Sequence, residues 1–247
     1  MMEIIAAIIT FIFTTLLTIA GLGAAFILVP VFMALGYDIH VSMATALLLN
    51  AISMAFASYR FITHRLIIWN IAIPILIITT ILSPLGAYVS QGLDKKLLII
   101  FFIIFLLFAA ANMLFYNPKP KEEKASRKSQ LITGGVIGGI AGFLGGLLGV
   151  GGGNFIVPVL VWQGIDPKKA SATTALIVIF SSLSGFLGHT SLGAMNYTLL
   201  IYTGIASIFG AIIGSWLVTD KLNRKQVKLI IGLVLIAVAV KMILGVI

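Results

Sequence analysis

Between Glu3 and Asp38 the chain carries no charged residue and no histidine. As one continuous helix at about 1.5 Å per residue, residues 3–38 would reach about 54 Å. The hydrocarbon core of a bilayer is only about 30 Å thick. A segment this apolar has to be buried, and a segment this long has to turn while buried. The letters show where: GLG at 21–23 interrupts the first run, and GVGGGN at 149–154 interrupts an equally uncharged run over 129–165. The sequence therefore predicts two hairpins, turning near Gly21–Gly23 and Gly149–Gly153. Each returns the chain to its starting side, either by two full crossings or as a shorter re-entrant loop.

The rest of the chain has the same character. Of 247 residues, 60% are hydrophobic and 9% charged, where a soluble domain is about one quarter charged. That leaves too little polar surface to cover a core in water, so an integral membrane protein is expected. A net charge of +9 does not indicate nucleic acid, because the basic residues lie in short connections between apolar runs and read as topology signals. The absence of cysteine excludes disulfides, thiolate metal sites and cysteine nucleophiles. No cleavable leader is expected, since Glu3 stands where a basic segment would be and apolar runs continue throughout. These runs predict helices over roughly 3–20, 23–36, 41–62, 67–90, 95–116, 129–148, 154–164, 169–188, 194–219 and 226–246.

The longest polar interruption, YNPKPKEEKASRKSQ (116–130), divides the chain into halves that repeat. GLGAAFILVPVFMALGYD (21–38) aligns without a gap on GVGGGNFIVPVLVWQGID (149–166), so that Pro30, Gly36 and Asp38 fall on Pro158, Gly164 and Asp166. After one inserted residue VSMATAL (41–47) matches ASATTAL (170–176), and PLGAYVSQGLDKK (84–96) echoes IIGSWLVTDKLNRK (212–225). The expected organisation is a repeat over 1–116, a linker over 117–128 and a second repeat over 129–247.

Lysine and arginine distinguish the topologies. If each hairpin is a single crossing, the 16 basic residues divide evenly between the two faces. If each hairpin is two passes, only Lys95, Lys96 and Lys241 leave the common face, and a cytoplasmic excess of this kind is the normal pattern. The second arrangement is preferred. It puts the linker in the cytoplasm and both termini outside, and its five passes per half make the repeats inverted. The predicted fold is thus an all-α polytopic membrane protein of the plasma membrane. Each of two inverted repeats holds a broken-helix hairpin plus three transmembrane helices, giving eight full spans plus hairpin arms and up to ten passes.

Irregular backbone inside a bilayer survives where it is buried in protein or lines a cavity. A helix beginning there carries unpaired N–H groups and the positive end of its dipole, and glycine lets an anion come close. The arms starting after Gly21, Gly23, Ala24 and Ala25, and after Gly149, Gly151, Gly152, Gly153 and Asn154, are therefore expected to meet near the midplane and bind a small anion. Thr45 and Asn50 on the third run, with Thr173 and Thr174 on its repeat partner, are expected to add neutral donors. Ser53, Ser181 and Ser182 are weaker candidates. Gly134, Gly138, Gly142 and Gly146 recur every four residues, a pattern of close helix packing within or between protomers. Asp38 and Asp166 are expected to cap the following helices. Arg60 and Arg65 are expected near lipid headgroups, and His189 in an outer loop is the candidate for proton coupling. Trp69, Trp162 and Trp216 near run ends fit interface anchors. No catalytic constellation, metal cluster or cofactor motif is present, so no enzyme, metal or cofactor is expected; the glycine run lacks the Lys-Ser/Thr of a nucleotide loop.

GVGGGNFIVPVL (149–160) and GIDPKKASATTAL (164–176), with the weaker copies GLGAAFILVPVF (21–32) and VSMATAL (41–47), resemble the TauE/SafE sulfite exporter family, also called the toluene-sulfonate uptake permeases. The resemblance covers essentially the whole chain. It implies a secondary transporter of sulfur-containing anions such as sulfite or organosulfonates, usually an exporter and coupled to a gradient. The anion, the direction, the coupling proton or other ion, and any homo-oligomer are left open. The alternatives are an anion channel, separated by uncoupled high conductance, and a membrane scaffold, which would bind no anion.

Overall fold

A computed structural model describes residues 2–89, 95–115, 127–147, 152–190 and 196–246. Among these residues the chain forms ten α-helices: α1 (Met2–Ala20), α2 (Ala25–Ala34), α3 (Ile39–Thr63), α4 (Trp69–Val89), α5 (Lys95–Phe115), α6 (Arg127–Leu147), α7 (Gly153–Trp162), α8 (Pro167–Thr190), α9 (Tyr197–Trp216) and α10 (Arg224–Val246). A π-helical turn, Leu217–Lys221, extends α9. Helices are what a bilayer demands, because each satisfies its own backbone polar groups. They coincide with the ten apolar runs to within a few residues. Six (α1, α3, α4, α8, α9 with its π turn, and α10) are long and apolar enough to cross a membrane.

The hairpin arms are half-length. Helices α2 and α7 have 10 residues each, about 15 Å, which is too short for a crossing. Each has its proline at the sixth position, Pro30 and Pro158, and each ends at a left-handed glycine, Gly36 (φ +90°) and Gly164 (φ +89°). Both ends close in the same way. Tyr37 N–H donates to Phe32 C=O and Gly36 N–H to Met33 C=O; Ile165 and Gly164 repeat this on Leu160 and Val161. This is the Schellman arrangement that glycine favours. Asp38 and Asp166 then accept from Val41 N–H (3.4 Å) and Lys168 N–H (2.8 Å), capping α3 and α8 as the sequence suggested. Tyr37 has also come back close to the start of α1. Burial raises the pKa of its phenol, and the charge of Glu3 adds to the rise.

The principal helix contacts repeat between the halves. When α1–α5 are exchanged in order with α6–α10, the packed pair α1·α9 becomes α6·α4, α3·α9 becomes α8·α4, and α2·α3 becomes α7·α8. The pairs α3·α8 and α5·α10 map onto themselves, and every one of these pairs is in contact. Helices α3 and α8 are the most buried of the six long ones. Outer faces are oily instead: Ile4, Ile8, Ile12 and Leu16 form an exposed row on α1, and Ile73, Ile77 and Ile81 one on α4. In water such rows would be a liability; against lipid they are the expected surface.

Two seams of small residues draw the halves together. A Cβ added at Gly134, Gly138 or Gly142 of α6 would lie 3.1, 3.0 or 2.6 Å from Pro74 Cβ, Ile75 Cα or Thr79 Cα of α4. The glycine stripe thus packs within the chain. In the matching seam, Gly210 and Gly214 of α9 lie against the Phe11 and Thr15 carbonyls of α1, 2.8 and 2.6 Å from where a Cβ would be. At one end of the bundle three corners meet. Arg60 donates to Thr219 Oγ1 (2.9 Å) and Asp220 Oδ2 (2.5 Å), Lys168 Nζ reaches Thr219 C=O (3.4 Å), and Arg224 pairs with Asp166. Arg60, expected from sequence near lipid headgroups, joins the two halves. His189 falls inside α8 rather than in a loop.

Candidate functional site

The first bend is fully buried, every residue from Leu17 to Ala25 being shielded from solvent. Helix α1 ends in a Schellman closure: Gly21 N–H donates to Thr18 C=O and Leu22 N–H to Leu17 C=O, both at 3.1 Å. Gly21 (φ +70°) and Gly23 (φ +78°) adopt the left-handed backbone this needs. Both are also pressed from outside. A Cβ on Gly21 would lie 2.6 Å from Ser171 Cα, and one on Gly23 would lie 2.6 Å from Asn50 Nδ2.

Asn50 lies midway along α3 and belongs to the bend. Its Oδ1 accepts the Ala24 N–H at 2.8 Å, and its Nδ2 donates to Ser182 Oγ of α8 at 2.8 Å. The start of α2, with Ala24 and Ala25 buried, therefore has one of its free N–H groups capped by a side chain from 26 residues on.

The second bend differs. Helix α7 starts after Gly152, whose carbonyl accepts from Phe155 N–H (3.1 Å) and Ile156 N–H (3.2 Å), and among the described residues no side chain caps it as Asn50 caps α2. Asn154, in the first turn, is 0% exposed. Neither its Oδ1 nor its Nδ2 has a hydrogen-bond partner. Buried amides are rarely left so. Gly149 and Gly151 lie outside the described residues.

The two bends touch. A Cβ on Gly153 would lie 2.7 Å from the Leu22 carbonyl oxygen and 2.9 Å from Val178 Cγ2, and one on Gly152 would lie 3.2 Å from the Ala141 carbonyl of α6. Glycine is what allows this approach. One face of α8 runs past both bends: Ser171 touches Gly21, Val178 touches Gly153, and Ser182 holds Asn50. These positions, with Thr174, are spaced three and four apart and share a helix face. Ser171 Oγ donates to the Ile19 carbonyl at 2.8 Å, fastening the end of α1. Ser171 was not singled out from sequence, although its alignment with Ser42 was a usable signal.

The hydroxyls divide into used and unused. Thr173 Oγ1 accepts Ile68 N–H at 3.1 Å and so caps the start of α4. Ser53 and Ser181 donate to the carbonyls of Asn50 and Val178, three residues back. Thr45 and Thr174, equivalent in the repeat, are both 0% exposed and both without a partner, as is Ser42. The described groups gathered at the bends are neutral hydrogen-bonding groups and helix starts, an arrangement able to hold a small anion without a fixed positive charge.

Residues 6–242 match the family model described as "Sulfite exporter TauE/SafE". The chain belongs to this family. Over 115 residues it is 31% identical to "Probable membrane transporter protein YunE" of Bacillus subtilis, covering 46% of this chain and 42% of that protein. Over 73 residues it is 41% identical to "Sulfite exporter TauE/SafE family protein 2" of Arabidopsis thaliana, covering 30% of this chain and 15% of that protein. The chain thus aligns with less than half the length of these two relatives. A longer and more distant match, 24% identity over 208 residues, is to "Probable membrane transporter protein YdhB" of Bacillus subtilis and covers 78% of this chain and 80% of that protein. No solved structure matches the chain. The two Bacillus subtilis relatives are named as probable membrane transporters.

Proposed function

We propose that the protein is a secondary transporter, working as an exporter, of small sulfur-containing anions such as sulfite or organosulfonates. One observation carries this reading: two buried helix starts meet, Gly153 against the Leu22 carbonyl, in a setting of neutral donors. Helix starts attract anions, and donors without full charge allow release as well as binding. The names of the family and of its Arabidopsis member point to sulfite.

The mechanism we infer is alternating access. Repeats 1–116 and 129–247, joined by the linker 117–128, rock against each other around the bends in a plasma membrane, with both termini outside and the linker cytoplasmic. The exchange of the principal helix contacts between the halves supports two equivalent repeats. The Arg60–Asp220 pair supports the hairpin topology, because single crossings would put Arg60 on the face opposite Asp220. A proton is the coupling ion that an exporter of a weak-acid anion would most simply use.

Flux through proteoliposomes tests the reading. Gly152→Leu forces a side chain against the Ala141 carbonyl at the start of α7. It is expected to abolish sulfite-driven flux while the protein still inserts and purifies. Wild-type flux in that variant would refute the site.

A further inference from the structure

The two helix starts are alike in the repeat and unlike in their hydrogen bonding. At the first, a cap is built in: Asn50 Oδ1 takes the Ala24 N–H, and Asn50 is itself held by Ser182. Asn50 fills the place an anion would take. The repeat offers no such cap at the second start, because the residue aligned with Asn50 is Ile179. There the polar side chain belongs to α7 itself. Asn154 is completely buried, both of its amide atoms are unpartnered, and side chains of a first turn lean back over the helix start.

A second unused group lies on the helix that passes the bends. On the face of α8 that passes the bends, Ser171 touches Gly21 and Val178 touches Gly153. Thr174 occupies the step between them on that face, and its hydroxyl has no partner. An orphaned amide in the first turn of α7 and an orphaned hydroxyl on the α8 face that passes it thus belong to a helix start with no side-chain cap among the described residues. Leaving a buried polar group unpaired is unfavourable, and a ligand that pairs both removes that penalty.

We propose that the anion is received at the α7 start alone, by the Asn154 amide and the Thr174 hydroxyl, while the α2 start is permanently sealed by Asn50. The proposal rests on the transporter reading above and makes its site one-sided. It also bears on charge. One helix end supplies roughly half an elementary charge, and the two side chains are neutral. Such a site suits a monoanion, a sulfonate or hydrogen sulfite, better than a sulfate dianion, which would be buried with more than one charge uncompensated.

Thermal unfolding of the purified full chain, followed by the fluorescence of its three tryptophans, provides the test. Sodium methanesulfonate and sodium sulfate are the probes, with sodium chloride as the ionic-strength control. The wild type is expected to melt higher with rising methanesulfonate, since a ligand of the folded state stabilises it by mass action, and to respond less to sulfate. Asn154→Leu should lose the methanesulfonate response yet melt no lower than wild type without ligand, because an unpaired amide has been removed. Asn154→Ala serves as the second variant should leucine not fit. Thr174→Val should weaken the response about tenfold, the equivalent of one hydrogen bond. Asn50→Ala should melt lower and keep its response.

A wild-type response retained in both Asn154 variants overturns the one-sided site while leaving the transporter reading intact. Loss of the response in Asn50→Ala with retention in Asn154→Ala overturns it too, as does sulfate binding as tightly as methanesulfonate. A wild type that responds to neither anion defeats the transporter reading, and this proposal with it.

Discussion

Asn50 and Asn154 have the same side chain in opposite circumstances. The first bonds at both ends of its amide; the second bonds at neither. Asn50→Leu strands the buried Ala24 N–H, and an unpaired buried donor costs about 1–3 kcal/mol. The midpoint of chemical or thermal unfolding in detergent should fall accordingly, and an unchanged midpoint would contradict the cap. Arg65 is another local case. It closes α3 with φ +54°, the one non-glycine residue of positive φ among the described residues. A left-handed L-residue costs about 1–2 kcal/mol and glycine returns part of that as chain entropy, so Arg65→Gly should be neutral or stabilising by up to about 1 kcal/mol. Nothing local in the letters marked Arg65. The positive φ at Gly21, Gly23, Gly36 and Gly164 was written in the residue type.

Among the elements, the two half-length helices and the small-residue seams explain how the bundle closes. Glycines at 134, 138 and 142 are spaced for packing, and that much is visible in sequence. That the partner is α4 of the same chain is not visible, because a stripe fixes a face and not what lies against it. The seam makes a paired prediction. Gly142→Ala puts a Cβ 2.6 Å from Thr79 Cα, while Gly139→Ala meets only Leu82 Cδ1 at 3.8 Å. The first should destabilise by about 1–3 kcal/mol as an overpacked contact does, and the second by much less. Equal melting points for the two would mean that α4 and α6 are not packed this closely. The hairpin arms follow the same logic: their existence was legible from an apolar run too long for one crossing. Their 10-residue length depends on where Gly36 and Gly164 close the helix.

For the whole molecule, topology fixes which corners share a face of the membrane. The chain has no cysteine, so Arg60→Cys with Asp220→Cys creates the only thiols. A short bifunctional maleimide should join them in intact membranes, since Arg60 bonds Asp220 directly; failure to cross-link would place the corners apart. Epitope tags at each terminus should both be protease-accessible from outside whole cells, and two protected tags would overturn the five-pass arrangement. The sequence by itself determined the membrane setting, the ten apolar runs, the repeat and the two glycine bends. These follow from solvent exclusion and backbone sterics, which act on short stretches and leave their mark in composition, spacing and glycine. Only the tertiary structure decided that Asn50 caps α2, that Asn154 and Thr174 have no partner, and that Arg60 reaches Asp220. Hydrogen bonds between residues 26 to 160 positions apart depend on how helices are packed, and no local pattern of letters records which polar groups that packing satisfies.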